Sequence, residues 1–336
     1  MQGLMQQHPL SIIGLMRHAA LNHADTEIVS CPVEPDADTH RYGYADAFAR
    51  MEKLASALSK LGVKQGDRVG TLAWNTWRHL ELFYALPGMG AVCHTINPRL
   101  FEDQLVYIAN HAEDRFLCLD ITFVELVEKL ADKLERVEGF IIMTDREHMP
   151  ETSLKNVQCY EDLLAAEEPG FDWPVLDENS ASSLCYTSGT TGNPKGVLYS
   201  HRSTVLHTYA ACLPDAHSMG ATTTTMPVAP MFHANAWGIP YCAAAVGAKM
   251  VLPGRDVSGP TLHQLILEEE VDHSVAVPTV WLEFLNHVEE NSLDAGPLKM
   301  TVIGGTAVPE SMYRRFNRLG VEVRQGWGMT ELSPLG

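Results

Sequence analysis

Apolar residues along the chain alternate between two rhythms. From Tyr44 to Leu61, the residues Phe48, Met51, Leu54, Ala55, Leu58 and Leu61 recur at helical spacing, and Gly62 follows as a stop. Short apolar runs at Arg68 to Trp74, Ala91 to Ile96, Phe116 to Asp120 and Phe140 to Thr144 are separated by helical stretches through Leu80 and Leu86, over Phe101 to His111 and over Val124 to Leu134. This order predicts βα units that build a mostly parallel sheet. A segment rich in Glu, Asp, Pro and Gly, Glu147 to Ser180, breaks the rhythm around one short helical piece at Tyr160 to Glu167 and is the expected subdomain junction. The alternation then resumes. Runs at Ser183 to Tyr186, Thr223 to Val228, Met250 to Leu252, Ser274 to Val277, Met300 to Ile303 and Val321 to Arg324 are interleaved with Thr204 to Leu213, Trp237 to Val246, Leu262 to Glu269, Val280 to Val288 and Ser311 to Leu319. The expected fold is therefore α/β, with two subdomains at residues 1–180 and 181–336.

Length and charge narrow the function classes. A chain of 336 residues exceeds one minimal core and suits one large domain or two tightly packed subdomains. With 24 Lys and Arg against 42 Asp and Glu, the net charge of −18 excludes a nucleic-acid backbone as the main partner, which needs clustered cations. Any anionic nucleotide must then be held by local backbone N–H groups, a few cations and a metal. The seven cysteines, scattered and without metal-ligand spacing, suit free thiols in a reducing cytoplasm. The apolar stretch from Leu10 to Met16 reads as an N-terminal helix of the fold, and no run reaches the ~18 apolar residues of a membrane span.

The segment Tyr186-Thr187-Ser188-Gly189-Thr190-Thr191-Gly192-Asn193-Pro194-Lys195-Gly196-Val197 follows an expected strand and is expected to precede a helix. Its glycines let successive N–H groups face one point, its hydroxyls add short donors, and Lys195 brings a positive charge, which together suit a polyphosphate. It differs from the P-loop pattern because Gly196, not Ser or Thr, follows Lys195. A flexible linker would gain nothing from Pro194-Lys195-Gly196 or from apolar strands on both sides. Further on, Glu331 offers a carboxylate suited to Mg²⁺ beside the hydroxyl of Thr330, and Trp327 between Gly326 and Gly328 suits stacking on a flat ring. His233 and Trp237, taken alone, read as a packing pair. Val277-Pro278-Thr279-Val280-Trp281 reads either as an acyl-pocket wall or as a strand end packing into a helix.

The glycine and hydroxyl segment resembles the phosphate-binding motif of the adenylate-forming superfamily of acyl-CoA ligases, luciferases and peptide-synthetase adenylation domains. Pro230-Met231-Phe232-His233-Ala234-Asn235-Ala236-Trp237, Gly304-Gly305-Thr306-Ala307 and Gln325-Gly326-Trp327-Gly328-Met329-Thr330-Glu331 follow in the family's order, so the resemblance covers the whole chain. The wording His94-Thr95-Ile96-Asn97-Pro98-Arg99-Leu100 and Ser182-Ser183-Leu184-Cys185-Tyr186 resembles the bacterial medium-chain fatty acyl-CoA ligases, a branch that also holds ligases for 3-methylthiopropionate. The resemblance implies the large N-terminal domain of that fold, with two mostly parallel α/β subdomains and a smaller β part. The last residues, Leu332 to Gly336, follow a motif directly, so the chain is expected to stop short of the family's small C-terminal lid.

The resemblance also implies roles. Thr187, Ser188, Gly189, Thr190, Thr191, Gly192 and Lys195 would hold phosphates; Thr187 and Glu331 would hold Mg²⁺; Thr330 would contact the α-phosphate. Gly305, Thr306, Ala307, Gln325, Gly326 and Trp327 would line the nucleotide, with Trp327 standing where many relatives have Tyr. His233 would sit near the reacting carboxylate, Trp237 would gate an apolar acyl tunnel, and Gly304 and Val277 would line the acid. No Asp is available in this segment for the ammonium of an amino acid, which disfavours that substrate. The implied activity is an acid–thiol ligase of fatty acid metabolism: ATP converts a short- to medium-chain fatty acid into acyl-AMP, and coenzyme A takes the acyl group. Alternatives are 3-methylthiopropionate, long-chain or aryl acids, or a non-catalytic nucleotide-binding fragment. A homodimer remains among the open assembly states.

Overall fold

The computed structural model describes residue 1 and residues 3–187 and 193–335. The helix expected to stop at Gly62 runs Tyr44–Lys60, and Gly62 has a φ of +90°, the left-handed conformation that ends a helix most easily with glycine. Among the described residues, fourteen strands form two seven-stranded sheets. Sheet one contains, in spatial order, β7 (Val157–Cys159), β6 (Gly139–Ile142), β5 (Asp114–Leu119), β3 (Arg68–Leu72), β4 (Val92–Thr95), β8 (Ala181–Tyr186) and β9 (Gly196–Ser200). Sheet two contains β14 (Glu322–Gln325), β13 (Met300–Ile303), β12 (His273–Ala276), β10 (Thr224–Pro227), β11 (Lys249–Leu252), β1 (Glu27–Ser30) and β2 (His40–Gly43). All neighbours are parallel except the edge pairs β8–β9 and β1–β2. The α/β alternation in the sequence is thus realised as two mostly parallel sheets.

Three helical layers alternate with the two sheets. Helices Ile12–Asn22, Tyr44–Lys60, Trp77–Gly88 and Ile239–Val246 share one core with residues of both sheets, such as Val69 and Cys118 on one side and Ile28 and Met250 on the other. Helix Trp77–Gly88 is buried on every face, as an element lying between two sheets must be. Helices Glu102–Ala112 and Val124–Leu130 cover the outer face of sheet one, and Gly259–Glu268, Pro278–Glu290 and Glu310–Arg318 cover that of sheet two. No helix among the described residues is long and apolar enough to cross a membrane.

Four short strands, β1, β2, β7 and β9, were not expected from the pattern. They have only three to five residues each, and all lie at or next to a sheet edge. Their pairing has a larger consequence. β1 joins sheet two beside β11, with Ile28 opposite Met250, while β8 and β9 join sheet one. Sheet membership therefore does not follow the expected division at residue 180, because parallel strands take distant partners.

The polar segment before residue 180 does not hang between two bodies. Glu161 accepts from Arg50 at 3.0 Å and from Arg78 at 2.8 Å, and Trp173 lies so close to Gly88 that a Cβ there would sit 2.5 Å from its ring. It packs onto the middle helices instead of serving as a junction.

Candidate functional site

In open α/β sheets, ligands sit beyond the carboxyl ends of parallel strands, where neighbouring connections diverge. In sheet two that divergence is at β10, flanked by β11 on one side and β12 on the other. Asn75, just past β3, reaches across from sheet one: its Nδ2 donates to the carbonyls of Pro227 (2.8 Å) and Ala229 (3.0 Å), and its Oδ1 accepts from the N–H of Met231 (2.7 Å). One buried amide therefore clamps the strand ends of both sheets together.

The segment after β10 then makes an unusual turn. Ala234, Asn235, Ala236 and Trp237 have φ values of 45°, 54°, 50° and 56°, followed by Gly238 at 82°, so the backbone completes a left-handed helical turn. Left-handed backbone costs a non-glycine residue about 1–2 kcal/mol, least for Asn, and such strain collects at functional sites. The expected helix from Trp237 to Val246 accordingly begins only at Ile239. Gly238 is required twice over, since a Cβ there would also lie 2.9 Å from the His207 ring. Burial draws the His207 pKa down to about 4, and its neutral Nε2 accepts from the Leu335 N–H at 3.2 Å.

Two cavities meet at His233. The first, about 160 Å³, is lined by Trp237, Gly304, Gly305, Gly326, Thr330 and Leu335 among others. The Trp237 indole, 7% exposed, lies over the two glycines: a Cβ on Gly304 would be 3.4 Å from its Cη2. The second cavity, about 190 Å³, has apolar walls from Trp74, Val228, Phe232, Val257, Val277 and Val280, with Arg99 and Arg255 among its polar groups. His233 is exposed to both, yet enough protein surrounds its ring to lower its pKa. Val277 belongs to the second cavity and also abuts Gly305, where a Cβ would be 3.2 Å from its Cγ1. The structure thus brings together His233, Trp237, Gly304, Gly305, Gly326, Thr330 and Val277. Thr306, Ala307, Gln325 and Trp327 are exposed and absent from both linings, Trp327 being 64% accessible.

Lys195 and Thr187 face each other across the stem of the glycine and hydroxyl segment. The Thr187 N–H donates to the Lys195 carbonyl at 3.0 Å, and the Lys195 N–H donates to Thr187 Oγ1 at 3.4 Å. Ser188, Gly189, Thr190, Thr191 and Gly192 lie outside the described residues. Contrary to expectation, the segment leads into β9, antiparallel to β8, and not directly into a helix. The Gly196-Val197-Leu198-Tyr199-Ser200 run pairs with β8 as a hairpin, and the helix follows only at His201. Tyr199 on β9 donates its hydroxyl to the Thr330 carbonyl, which joins the return strand to the turn carrying Glu331.

Among the described residues no three His, Cys, Asp or Glu side chains gather to hold a metal. Glu331 is exposed and Thr187 is half-buried; two oxygen donors would suit Mg²⁺ completed by phosphates and water, not an all-protein cage.

Asn75, Trp74, Asn97, Arg99 and Arg255 were not singled out as site residues from sequence. The signal available was position: each stands within a few residues of the end of a parallel strand.

Two doubly wound sheets with cavities beyond their carboxyl ends define an open α/β ligand-binding protein. The family model described as "AMP-binding enzyme" matches residues 16–336, and the chain belongs to that family. It is 50% identical over 337 residues to a 3-methylmercaptopropionyl-CoA ligase of Ruegeria lacuscaerulensis, covering all of this chain and 62% of the relative. It is 48% identical over 337 residues to a medium-chain-fatty-acid–CoA ligase of Ectopseudomonas oleovorans, covering all of this chain and 61% of the relative. A solved long-chain-fatty-acid-CoA ligase from Archaeoglobus fulgidus superposes with a TM-score of 0.87 at 23% identity, over 98% of this chain and 66% of that one, which establishes the fold. The chain spans about three fifths of the length of the curated relatives it matches.

Proposed function

We propose that the protein activates a short- to medium-chain carboxylic acid, 3-methylthiopropionate among them, with ATP and transfers the acyl group to coenzyme A. The observation that carries this reading is the position of His233 between a glycine-lined cavity roofed by Trp237 and an apolar cavity that holds two arginines. The substrate carboxylate attacks the α-phosphorus, pyrophosphate leaves, and the CoA thiol then attacks the acyl carbonyl and displaces AMP. No enzyme nucleophile is needed, so the chain's work is positioning and charge neutralisation.

Lys195 and the loop amides would hold the outer phosphates. Thr330, fixed through its carbonyl by Tyr199, would present its hydroxyl to the α-phosphate, and Gly304, Gly305 and Gly326 would let the nucleotide approach the backbone. Mg²⁺ at Glu331 and Thr187 supplies charge neutralisation when bound. The apolar walls of the second cavity suit the thiol arm of CoA, with Arg99 and Arg255 available to its phosphates. His233, neutral at pH 7, separates the two and can face the reacting carboxylate without competing as a cation. Trp237 would close the acyl path, with Val277 beside it. The seven free thiols support a cytoplasmic location. A homodimer is proposed with it, supported by Leu206, Tyr209 and Leu213, exposed at i, i+3 and i+7 along one helix and its end.

The test is pyrophosphate release by the protein as encoded, with Mg²⁺ and acids from C3 to C16 including 3-methylthiopropionate, followed by acyl-CoA formation. Acid-dependent release peaking at short or medium chains is expected. ATP binding without release for any acid would support a binding module and overturn the reading.

A further inference from the structure

The left-handed turn raises a question that its sequence alone does not answer: what holds four consecutive non-glycine residues there. Ala234 and Ala236 contribute only methyl groups. Asn235 is the one polar side chain of the turn, it is 4% exposed, and both ends of its amide are used. Its Nδ2 donates to Ser183 Oγ at 3.1 Å, and its Oδ1 accepts from Cys185 Sγ at 3.5 Å. Burial pushes the Cys185 thiol up to about 11, so it keeps the proton that this contact requires. Cys185 Sγ is in turn 3.2 Å from Thr95 Oγ1 on β4.

Ser183 and Cys185 project from the same face of β8, because alternate residues of a strand share a face. β8 runs straight into the phosphate-binding segment, and Thr187 is about 7 Å beyond Cys185 at the rise of an extended strand. In the other direction Trp237 is two residues from Asn235. One side chain therefore spans the gap between the strand that carries the phosphate loop and the turn that carries the indole over the acid side. Asn is also the non-glycine residue that tolerates left-handed backbone best, so position 235 serves the turn's conformation and its attachment together.

We propose that Asn235 is a positioning residue that ties the strained turn bearing Trp237 to β8, so that nucleotide in the phosphate loop and acid beyond Trp237 are energetically linked. This rests on the functional reading above. The link is direct: a shift at the end of β8 displaces Ser183 and Cys185, and the turn must follow or give up the side-chain contacts of Asn235.

The experiment uses the protein as encoded and compares acid affinity with and without a non-hydrolysable ATP analogue. The unmodified protein should bind acid at least about fivefold more tightly when the analogue is present. Asn235→Gly keeps the left-handed backbone but removes the tie, and should bring that ratio close to one while affinity for the analogue alone stays within about twofold. Ser183→Ala should lower the ratio while the protein still melts cooperatively, and decides the matter if the glycine variant does not fold. Asn235→Asp, which keeps an acceptor for Cys185 and can accept from the Ser183 hydroxyl, should restore most of the ratio. A full wild-type ratio in both Asn235→Gly and Ser183→Ala overturns the role of Asn235 and leaves the functional reading intact. A ratio of one in the unmodified protein removes the link as well. Failure of the unmodified protein to bind either the analogue or any acid overturns the functional reading itself.

Discussion

The hydroxyl of Tyr199, on the strand that follows the glycine and hydroxyl segment, donates to the backbone carbonyl of Thr330. Tyr199 is 4% exposed, and the nearby Glu331 carboxylate adds to the burial that holds its phenol protonated. Tyr199→Phe deletes one hydrogen bond, worth about 1 kcal/mol, and frees the Thr330 turn from β9. The expected result is a roughly fivefold higher KM for ATP with acid affinity unchanged, read from initial rates over an ATP series. An unaltered ATP dependence would detach this contact from the nucleotide site.

Glu331 is exposed, so its replacement carries no folding cost of its own. Glu331→Gln keeps the shape and removes the charge that draws a cation. Half-saturation by Mg²⁺ should rise by at least about tenfold while the thermal melt stays in place. Superimposable Mg²⁺ titrations would remove Glu331 from the metal's surroundings.

Trp237 distinguishes a gate from a core residue. Trp237→Ala should tighten acid binding in the absence of nucleotide to the level seen with it, because the path stays open. If the indole is only packing, the same change should instead cost about 3–5 kcal/mol in a denaturant titration with the nucleotide effect retained. The two outcomes are mutually exclusive, and one pair of titrations reads both.

The backbone of Trp74, in the wall of the apolar cavity, is held by two groups with opposite acid responses. His79 donates from Nδ1 to the Trp74 carbonyl at 3.0 Å and accepts at Nε2 from Thr71 at 2.9 Å, and burial pulls its pKa down to about 4. Because the unfolded value is about 6.5, the stability His79 contributes is complete above that pH and is lost as pH falls towards 4. Between pH 7 and pH 5 the loss is about 2 kcal/mol. Asp120 accepts from the Trp74 N–H at 2.7 Å and burial raises it to about 7, so its folded form gains a proton over the same interval and stability rises. The two effects nearly offset in the unmodified protein, so between pH 7 and pH 5 the denaturation midpoint of His79→Gln should rise, and that of Asp120→Asn should fall, relative to the unmodified profile. Parallel profiles in all three proteins would show that neither group titrates with folding.

Most of the fold was legible because its helices are long enough to display a period and its inner strands are continuous apolar runs between them. Met300 to Ile303 was read to the residue, and the helix from Tyr44 missed by one position. Edge strands such as β2 and β7 escaped because three or four residues give no periodicity, and their partners are set by the sheet. Gly304, Gly305, Gly326 and Thr330, singled out in the sequence, meet at one cavity. The geometry of the site was not legible: Ala234-Asn235-Ala236-Trp237 has ordinary helical propensity, and only tertiary contact through Ser183 and Cys185 makes it wind the other way. Likewise nothing in Gly196 to Ser200 announces a hairpin until β8 is beside it.

The parallel pairing of β1 with β11 also sets a schedule for synthesis. Ser30 leaves the ribosome some 220 residues before Leu252, its partner in the ladder, is made. At 5–20 residues per second that interval is about 10–40 s. Throughout it the β1–β2 hairpin has an open edge carrying Ile28 and Val29, and an isolated two-stranded hairpin is marginal in water. The nascent amino-terminal segment must consequently be shielded by a chaperone or remain unfolded until Leu252 has been made, and a pulse of protease during translation would find its first cleavage sites there.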